Sequence, residues 1–561
     1  MLFALMSASV LFAQGDGTPG GEYFIHGIFN PTIADVQKID LRPVPIDTLL
    51  PDKEMTYGVL AVVADLPVAV DSIAPARLNV VQANERLYKG FVKAGFGTYS
   101  TPLGELYYDA TRAKDKGYGI HLKHFSSNGG IKDVGPSQYG FNSVDAFYKT
   151  ILSRHELKVG ADYGRRRVNY YGYRTEAFDT LNIPSPSTKD IRQFYNDLGF
   201  QAKVKSLYTD STKLAHEVGL QARHYTNRQG SRETNILVDA DVHMDQGSET
   251  YGGRLIVDNN AYRGVSDDEL TPDFRQNGTI IGLSPSVSTS GKRYVVRVGA
   301  GLYLDAMSKT TFHFYPQAYL SYSLFDDILV PYAGVDGERQ RNSFRSLTKE
   351  NPWLIPAPGL ANTSKLYDIY GGMRGSLSSR IGFDVRVSTS SWRDRALFIT
   401  DGLYSFGNAF NVLYDKVNVL NVSGDVSYDD ERGTRFHARL DIFSYDTEDQ
   451  AEAWNLPPYQ LTIGARYSLR EKLIVKLDAM FMGQRKALTP VFASIQDEAP
   501  SEVEIIELNG FFDLYLGVEY RYTKRLSLFL DMSNISASKY ERWARYPVQR
   551  ALILLGASYA F

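Results

Sequence analysis

Histidines are the first residues to consider for chemistry, because an imidazole can act as a general base or bind a metal. His121 and His124 lie three residues apart. In a strand that spacing places them on opposite faces, so they cannot bind one metal ion together. His216 and His224 share a face but lie about 26 Å apart at roughly 3.3 Å per residue. We interpret these histidines as structural polar residues and expect no metal site.

Motifs for catalysis or cofactor binding give no further candidates. The sequence contains no GxSxG nucleophile turn, no HExxH pair and no P-loop pattern. The chain has no Cys, which excludes disulfides and thiolate metal sites. We therefore expect no catalytic and no cofactor-binding residues, and no enzyme. A Ser–His pair formed between neighbouring strands is left open by the sequence, and such a pair near the outer rim would favour a membrane hydrolase.

Two charged stretches could bind ions. The acidic stretch Ser266–Asp273 could bind calcium, but it lacks the glycine and the spacing of an EF-hand loop, so a solvated loop is the preferred interpretation. The run Arg165, Arg166 and Arg167 could suit an anionic ligand. In a strand only Arg165 and Arg167 share a face. A rim that meets anionic lipid head groups explains this pair equally well.

The four tryptophans all lie where we place the outer ends of strands. Trp and Tyr favour membrane–water interfaces, because part of the ring is apolar and part can donate a hydrogen bond. We interpret them as interface anchors, with a glycan- or peptide-binding rim as the alternative. They are Trp353, Trp392, Trp454 and Trp543.

Long alternating segments must position all these residues. In Lys292–Met307, apolar side chains share one face, while Arg297 and Asp305 lie on the other. Such runs reach about 10 to 18 residues, whereas strands of soluble sandwiches are about 5–6 residues long. The longer runs can cross a bilayer. This favours a transmembrane β-barrel with a hydrated lumen, and six residues are predicted to face that lumen: Arg297, Asp305, Asp384, Arg386, Lys476 and Asp478.

Counting these segments predicts an all-β, antiparallel, up-and-down barrel of about 22 strands over residues 88–561. Short turns alternate with longer polar loops, as in membrane barrels, so the turns should face the periplasm and the loops the exterior. A hairpin is predicted at Thr101–Gly104 and a short connection at Ser308–Thr310. Longer loops are predicted near 128–142, 175–190, 265–273, 343–364, 392–408, 446–455, 485–503 and 536–548. The strands are predicted to begin near 88, 105, 117, 143, 156, 192, 213, 234, 249, 274, 292, 311, 328, 365, 381, 409, 433, 456, 472, 507, 526 and 549.

The last residues, Gln549–Phe561, alternate apolar side chains up to the carboxy-terminus. This stretch resembles the closing strand of bacterial outer-membrane barrels. The resemblance implies that Tyr559 and Phe561 form a signal read by the barrel assembly machinery. It also implies that the terminal strand pairs with the first strand, near Tyr88–Ser100.

The amino-terminal region differs from the rest. Residues 1–13 resemble a secretory signal peptide, with cleavage expected after Ala13. Residues 14–87 are punctuated by prolines, which predicts an extended periplasmic or luminal segment. After the start of the chain, no run of about 18 apolar residues predicts a transmembrane helix. The net charge of −3 gives no nucleic-acid signal.

Residues 94–127, AGFGTYSTPLGELYYDATRAKDKGYGIHLKHFSS, resemble the opening of Bacteroidota outer-membrane barrels of the TonB-dependent-receptor-like type. The resemblance extends over most of residues 88–561. It implies a 22-strand barrel in the outer membrane of a Gram-negative cell. The segment before the barrel is shorter than the folded plug of a TonB-dependent transporter, and it shows no clear energy-coupling box. We therefore expect a barrel without a full plug.

These observations predict a barrel for passage or reception of a solute. The alternative is a non-transporting scaffold or partner-binding barrel of an envelope assembly or secretion complex, and the weaker alternative is an outer-membrane hydrolase. The expected partners are outer-membrane lipid, the barrel assembly machinery, and a periplasmic or surface protein. The solute is left open. A barrel this wide cannot be filled by its own wall side chains, so something must occlude it.

Overall fold

The computed structural model describes residues 88–110, 115–173, 186–265, 274–401, 405, 407–430, 433–491 and 502–561. The predictions for the signal peptide 1–13, the segment 14–87 and the acidic stretch 266–273 lie outside these residues.

The described residues form 26 strands and one helix. The strands are β1 Gly90–Gly97, β2 Thr101–Asp109, β3 Lys116–Ser127, β4 Tyr139–Leu152, β5 His155–Asn169, β6 Arg192–Ser206, β7 Ala215–Asn227, β8 Arg232–Gln246, β9 Glu249–Gly264, β10 Phe274–Ser290, β11 Tyr294–Ala306, β12 Thr310–Tyr322, β13 Leu329–Gln340, β14 Thr363–Ser378, β15 Ile381–Thr400, β16 Phe410–Asp429, β17 Thr434–Thr447, β18 Tyr459–Leu469, β19 Leu473–Met482, β20 Arg485–Val491, β21 Glu502–Leu508, β22 Phe511–Arg521, β23 Leu526–Ser533, β24 Glu541–Trp543, β25 Tyr546–Pro547 and β26 Leu552–Ala560. The helix, α1, is Phe344–Glu350.

Twenty-two of these strands form one closed antiparallel barrel. Strands β1 to β19 pair in chain order, followed by β22, β23 and β26, and β26 returns to β1. The remaining strands form two hairpins outside the wall, β20–β21 and β24–β25. The predicted fold class and strand number are therefore confirmed. The largest differences in strand starts are at 105, 143 and 507, where the strands begin at 101, 139 and 511.

The closing seam joins the two ends of the wall. Phe91 lies opposite Ala560, and the N–H of Phe561 donates to the carbonyl of Gly90 at 2.8 Å. A Cβ at Gly556 would lie 2.2 Å from the carbonyl oxygen of Ala94 and 2.4 Å from the ring of Phe529, so only glycine fits this close approach. The predicted pairing of first and last strands is confirmed.

Connections differ between the two ends of the barrel. One end, here called the turn end, has connections as short as 153–154, 247–248 and 379–380. The other, here called the loop end, carries 128–138, 170–191, 341–362, 448–458, 483–510 and 534–551. The short connection predicted near Ser308–Thr310 is present at residues 307–309.

Two boundary predictions were wrong. The first hairpin turns at Thr98–Ser100, where Tyr99 and Ser100 have left-handed backbone angles (φ 58° and 50°), and Thr101–Gly104 belongs to β2. Residues 392–400, predicted as loop, continue β15. A bulge between Trp392 and Arg395 shifts the register there, which breaks the period-two pattern used to find strands.

The outward face of the wall is apolar. Alternate side chains of β11 and β12 are strongly exposed although they are large and apolar, including Val298, Leu304, Phe312, Phe314 and Leu320. An apolar belt of this kind is typical of a wall that faces lipid. In the described parts of the chain, no helix has the length and apolarity needed to cross a membrane.

Candidate functional site at the loop end

The segment between β13 and β14, residues 341–362, here called the strap, crosses the barrel opening. The hydroxyl of Tyr195 on β6 donates to the carbonyl of Pro352 at 2.8 Å. The N–H of Phe410 on β16 donates to the carbonyl of Trp353 at 2.9 Å. Because β6 and β16 lie nearly opposite each other in the closed ring, contact with both requires the strap and the projecting end of β16 to bridge the opening.

An aromatic core surrounds the strap. We call it the loop core, and its buried members are Val168, Tyr171, Tyr195, Tyr225, Tyr262, Phe344, Leu347, Leu354, Leu360, Phe398, Phe410, Trp543 and Tyr546. Phe344 is fully buried, and its ring lies 5.3 Å from that of Tyr262 and 5.8 Å from that of Tyr225. The members come from several strands and loops, so burial of their apolar surface holds the strap in place across the opening.

A buried carboxylate holds the start of α1. Glu233 at the beginning of β8 is 2% exposed and accepts from the N–H of Phe344 at 2.6 Å and that of Arg345 at 3.4 Å. The first N–H groups of a helix have no partner within the helix, so these bonds satisfy donors that would otherwise be buried unpaired. Ser343 caps the helix through a capping box with Ser346.

An ionic network ties the same helix to the wall. Asp197 on β6 pairs with Arg345 at 2.7 Å, with Lys349 at 3.4 Å and with Arg223 at 3.2 Å. Arg223 also binds Asp162 on β5 through both of its terminal nitrogens, at 2.8 and 3.0 Å. A two-bond guanidinium–carboxylate contact fixes geometry as well as charge, so α1 is held in one orientation.

Other loops pack around the strap. Trp353 of the strap stacks on Tyr546 of β25 at 3.9 Å between ring centroids. Gln549 donates to the hydroxyl of Ser127 at 3.1 Å, which joins the 534–551 connection to the end of β3. Arg485 of the β20–β21 hairpin donates to the carbonyl of Arg542 at 2.6 Å. The loop core is therefore supported around much of the opening.

Glu350, the last residue of α1, gives the strap a pH-dependent group. Burial raises the pKa of its carboxyl to about 7 from an ordinary 4.5, although Arg395 and Arg542 oppose the rise. The folded strap thus holds this proton more tightly than the unfolded chain does. Ionisation of Glu350 should therefore lower the stability of the folded strap progressively as the pH rises from about 4.5 to about 7 and slightly beyond.

We therefore expect proteolytic cleavage of the strap to be faster at about pH 8 than at about pH 5. Glu350→Gln cannot ionise, so its cleavage rate should be nearly the same at both pH values. Cleavage of an unstructured reporter peptide by the same protease corrects for the protease's own pH dependence. Equal pH dependence in the wild-type protein and Glu350→Gln would contradict the assignment.

The six predicted lumen residues differ in their contacts. Asp305 is 3% exposed, pairs with Arg339 at 2.8 Å and accepts from Asn362 of the strap at 2.8 Å. Asp384 accepts from the hydroxyl of Tyr332 at 2.6 Å, and Arg386 pairs with Asp368 at 2.9 Å. Arg297 and Asp478 are exposed and Lys476 is half-buried. Of these six residues, Asp305 contacts the strap, and the six do not form one cluster. That they line a hydrated lumen stays a prediction.

The four tryptophans lie in or beside the closed loop end. Trp392, Trp454 and Trp543 are buried, and Trp353 is half-buried. The indole N–H groups of Trp353, Trp392 and Trp454 donate within the chain, to Asn169, Ser390 and Gln450. These contacts favour a packing role, and anchoring at a membrane interface stays a prediction. Tyr559 and Phe561 lie at the end of the chain, where it pairs with β1 at the seam. That they form an assembly signal also stays a prediction.

The histidines have separate surroundings. The ring of His121 lies between two carboxylates, with Nε2 3.2 Å from Glu105 and Nδ1 3.4 Å from Asp145. His124 contacts Asn142 instead. His155 and His216 form a pair that was not predicted, with their Nε2 atoms 3.2 Å apart. Strand pairing, and not their spacing in the sequence, brings them together. Among the described residues, no group of three or more His, Cys, Asp or Glu side chains is arranged to hold a metal ion.

Comparison with known proteins places the fold. No protein-family model matches the sequence, and no curated protein sequence matches it. The FrpB iron transporter of Neisseria meningitidis (F3-3 variant) has a TM-score of 0.64 at 9% identity, with 85% of this chain and 82% of that chain covered. The pyoverdine outer-membrane receptor FpvA of Pseudomonas aeruginosa, bound to pyoverdine, has a TM-score of 0.63 at 13% identity, covering 85% and 79%. The siderophore receptor PirA of Acinetobacter baumannii has 0.61 at 10%, covering 85% and 81%. This chain therefore has the barrel fold of these receptors.

Proposed function

We propose that this protein is an outer-membrane barrel of a Gram-negative bacterium that admits or receives a solute at its loop end. The observation that carries the proposal is the closed 22-strand wall whose opening is spanned by a packed but ionically anchored strap. A wall of this size is too wide for its own side chains to fill. A strap held by a few defined contacts can close such a wall and still be released.

The solved structures of similar fold support a receptor role. Their names describe an iron transporter, a pyoverdine receptor and a siderophore receptor. Charged residues such as Arg297 and Asp478 suit a hydrated path for a polar solute. The proposal includes two further points. The barrel is of the Bacteroidota type that residues 94–127 resemble, and it has no full plug. Residues 14–87 would then dock at the inner wall or periplasmic mouth and restrict the pore.

A non-transporting scaffold is the second candidate. The extent of the loop core favours it, since a permanently closed opening would present the loops as a fixed surface. In that case residues 14–87 would tether a periplasmic partner. The hydrophobic runs in that segment would then pack against the partner instead of the barrel.

Deletion of residues 20–80 separates the two candidates. The wall does not need these residues to pair its strands, so we expect the shortened barrel to fold. If the segment restricts the pore, deletion should raise single-channel conductance in planar bilayers and sensitivity to antibiotics. If the segment is a tether, permeability should stay unchanged and a partner should cease to co-purify. A deletion that changes neither would remove the main support from both.

A further inference from the structure

A serine, a histidine and an asparagine form a hydrogen-bonded row on the outer wall near the loop end. The hydroxyl of Ser126 lies 3.3 Å from Nε2 of His124. Nδ1 of the same ring lies 2.7 Å from Oδ1 of Asn142. All three residues belong to wall strands, Ser126 and His124 to β3 and Asn142 to β4.

The contacts define the tautomer of the neutral imidazole. An amide oxygen can only accept a hydrogen bond, so Nδ1 of His124 must donate to Asn142. The proton is then on Nδ1, and Nε2 keeps a lone pair that faces the hydroxyl of Ser126. This is the arrangement of a nucleophile, a general base and a group that orients the base, in which an asparagine can replace the carboxylate.

Strand geometry alone builds this row. His124 and Ser126 are two residues apart, so they share a face, and His124 lies directly opposite Asn142 in the register. Ser126 lies opposite Gly140. A Cβ at Gly140 would lie 3.3 Å from the Cβ of Ser126, so the glycine keeps the space beside the hydroxyl free. A substrate carbonyl could enter there.

The surroundings indicate the class of substrate. The face that carries Ser126 is the lipid-facing one, since Ile120 and Val144 on the same face are exposed and apolar. On β5, Arg165 lies opposite Asn142 and Arg167 lies opposite Gly140. The hydroxyl therefore lies between an apolar surface that suits acyl chains and two arginines that suit an anionic head group.

We propose that Ser126, His124 and Asn142 form a hydrolase site that cleaves an acyl ester of an anionic glycerophospholipid in the surrounding membrane. Ser126 Oγ attacks the ester carbonyl carbon while its proton passes to Nε2 of His124. Collapse of the tetrahedral intermediate breaks the bond to the lysophospholipid alkoxide, which takes the proton from His124. Water then attacks the acyl-serine, its proton passes through His124 back to Oγ, and a fatty acid leaves.

Within this site, Ser126 and His124 are the catalytic residues. Asn142 is a positioning residue, because it acts through the imidazole. The activity is separate from the proposed solute role, since the site lies on the opposite face of the wall from the strap.

The test uses the full-length protein purified in detergent and mixed micelles of phosphatidylglycerol. Release of fatty acid should fall by at least about 10³-fold in Ser126→Ala and in His124→Gln. A fluorophosphonate probe should add one adduct to the wild-type chain at Ser126, as read by intact mass, and none to either variant. Electrophoretic heat-modifiability of the barrel confirms that the variants fold.

A matched control is available in the chain itself. Thr311 Oγ1 lies 2.9 Å from Nε2 of His313, which repeats the hydroxyl–imidazole contact at a spacing of two residues on β12. Thr311→Ala should leave both hydrolysis and labelling unchanged.

Asn142→Asp should retain activity. It should also move the rise of kcat/KM to higher pH, because a carboxylate stabilises the imidazolium. If Asn142 had only a structural role, this pH profile would not move. Arg165→Gln with Arg167→Gln should raise KM for phosphatidylglycerol more than for phosphatidylcholine.

Two results would overturn the proposal. One is hydrolysis that is equal in the wild-type protein and Ser126→Ala, which would identify a contaminant. The other is a folded wild-type barrel that neither releases fatty acid nor takes up the probe. Neither result bears on the solute role, which the conductance measurement tests independently.

Discussion

Phe344→Ala is expected to open the loop end of the barrel. The side chain is fully buried among the rings of Tyr195, Tyr225 and Tyr262, and its removal should cost about 3–5 kcal/mol of local stability. The wall itself is a separate hydrogen-bonded ladder, so it should remain closed. The expected result is higher single-channel conductance and faster cleavage of the strap, with unchanged heat-modifiability of the barrel.

Phe325→Ala is the matched control for this substitution. Phe325 is 73% exposed in the turn-end connection between β12 and β13. The same change of side chain there removes no buried contact, so conductance and cleavage should stay at wild-type values. Unchanged conductance in a folded Phe344→Ala barrel would show that the loop core does not control the opening.

Leu477→Arg should destabilise the wall much more than Asp478→Arg. Leu477 lies in the middle of β19 with Ala465 and Leu516 as cross-strand neighbours, which places it in the apolar belt. An arginine at the membrane midplane costs about 2–4 kcal/mol. Asp478 lies on the other face, opposite Gly464 and Tyr515, where an arginine would remain hydrated.

Refolding into phospholipid vesicles over a urea series measures this difference. The midpoint should fall clearly for Leu477→Arg and little for Asp478→Arg. Leu477→Arg changes the charge of the strand by +1 and Asp478→Arg changes it by +2. A general effect of charge on insertion would therefore lower the midpoint more for Asp478→Arg, which is the opposite of the expected order. Equal midpoints would mean that the two faces of β19 are misassigned.

The wall was predictable because its signal is local and repeated. Most strands alternate apolar and polar residues, and this alternation recurs around the ring. Errors arose where a local rule was broken. The bulge near Trp392 interrupts the alternation of β15, and the first hairpin uses Tyr99 and Ser100 at positions where glycine or asparagine would have signalled a turn.

The packing of the loop end could not be predicted, because it depends on contacts between distant parts of the chain. Nothing in the neighbourhood of Glu233 indicates that it holds the start of a helix more than a hundred residues later. The sequence around Ser126 and Asn142 gives no signal of a site either, because a site formed on strands has no nucleophile-turn motif. The spacing of two residues places Ser126 beside His124, but only the register of β3 and β4 brings Asn142 to it.

The strap is fastened by unlike interactions on its two sides. Towards β6 and β9 charges add to the packing of Phe344, with Arg345 on Asp197 and Arg341 on Asp258 at 2.7 and 2.8 Å. Towards β16 and β25 it is held by main-chain bonds to Phe410 and by stacking on Tyr546. Salt screens the first kind and leaves the second almost untouched. Higher ionic strength should therefore loosen the strap on its β6 and β9 side more than on its β16 side, without releasing it from either.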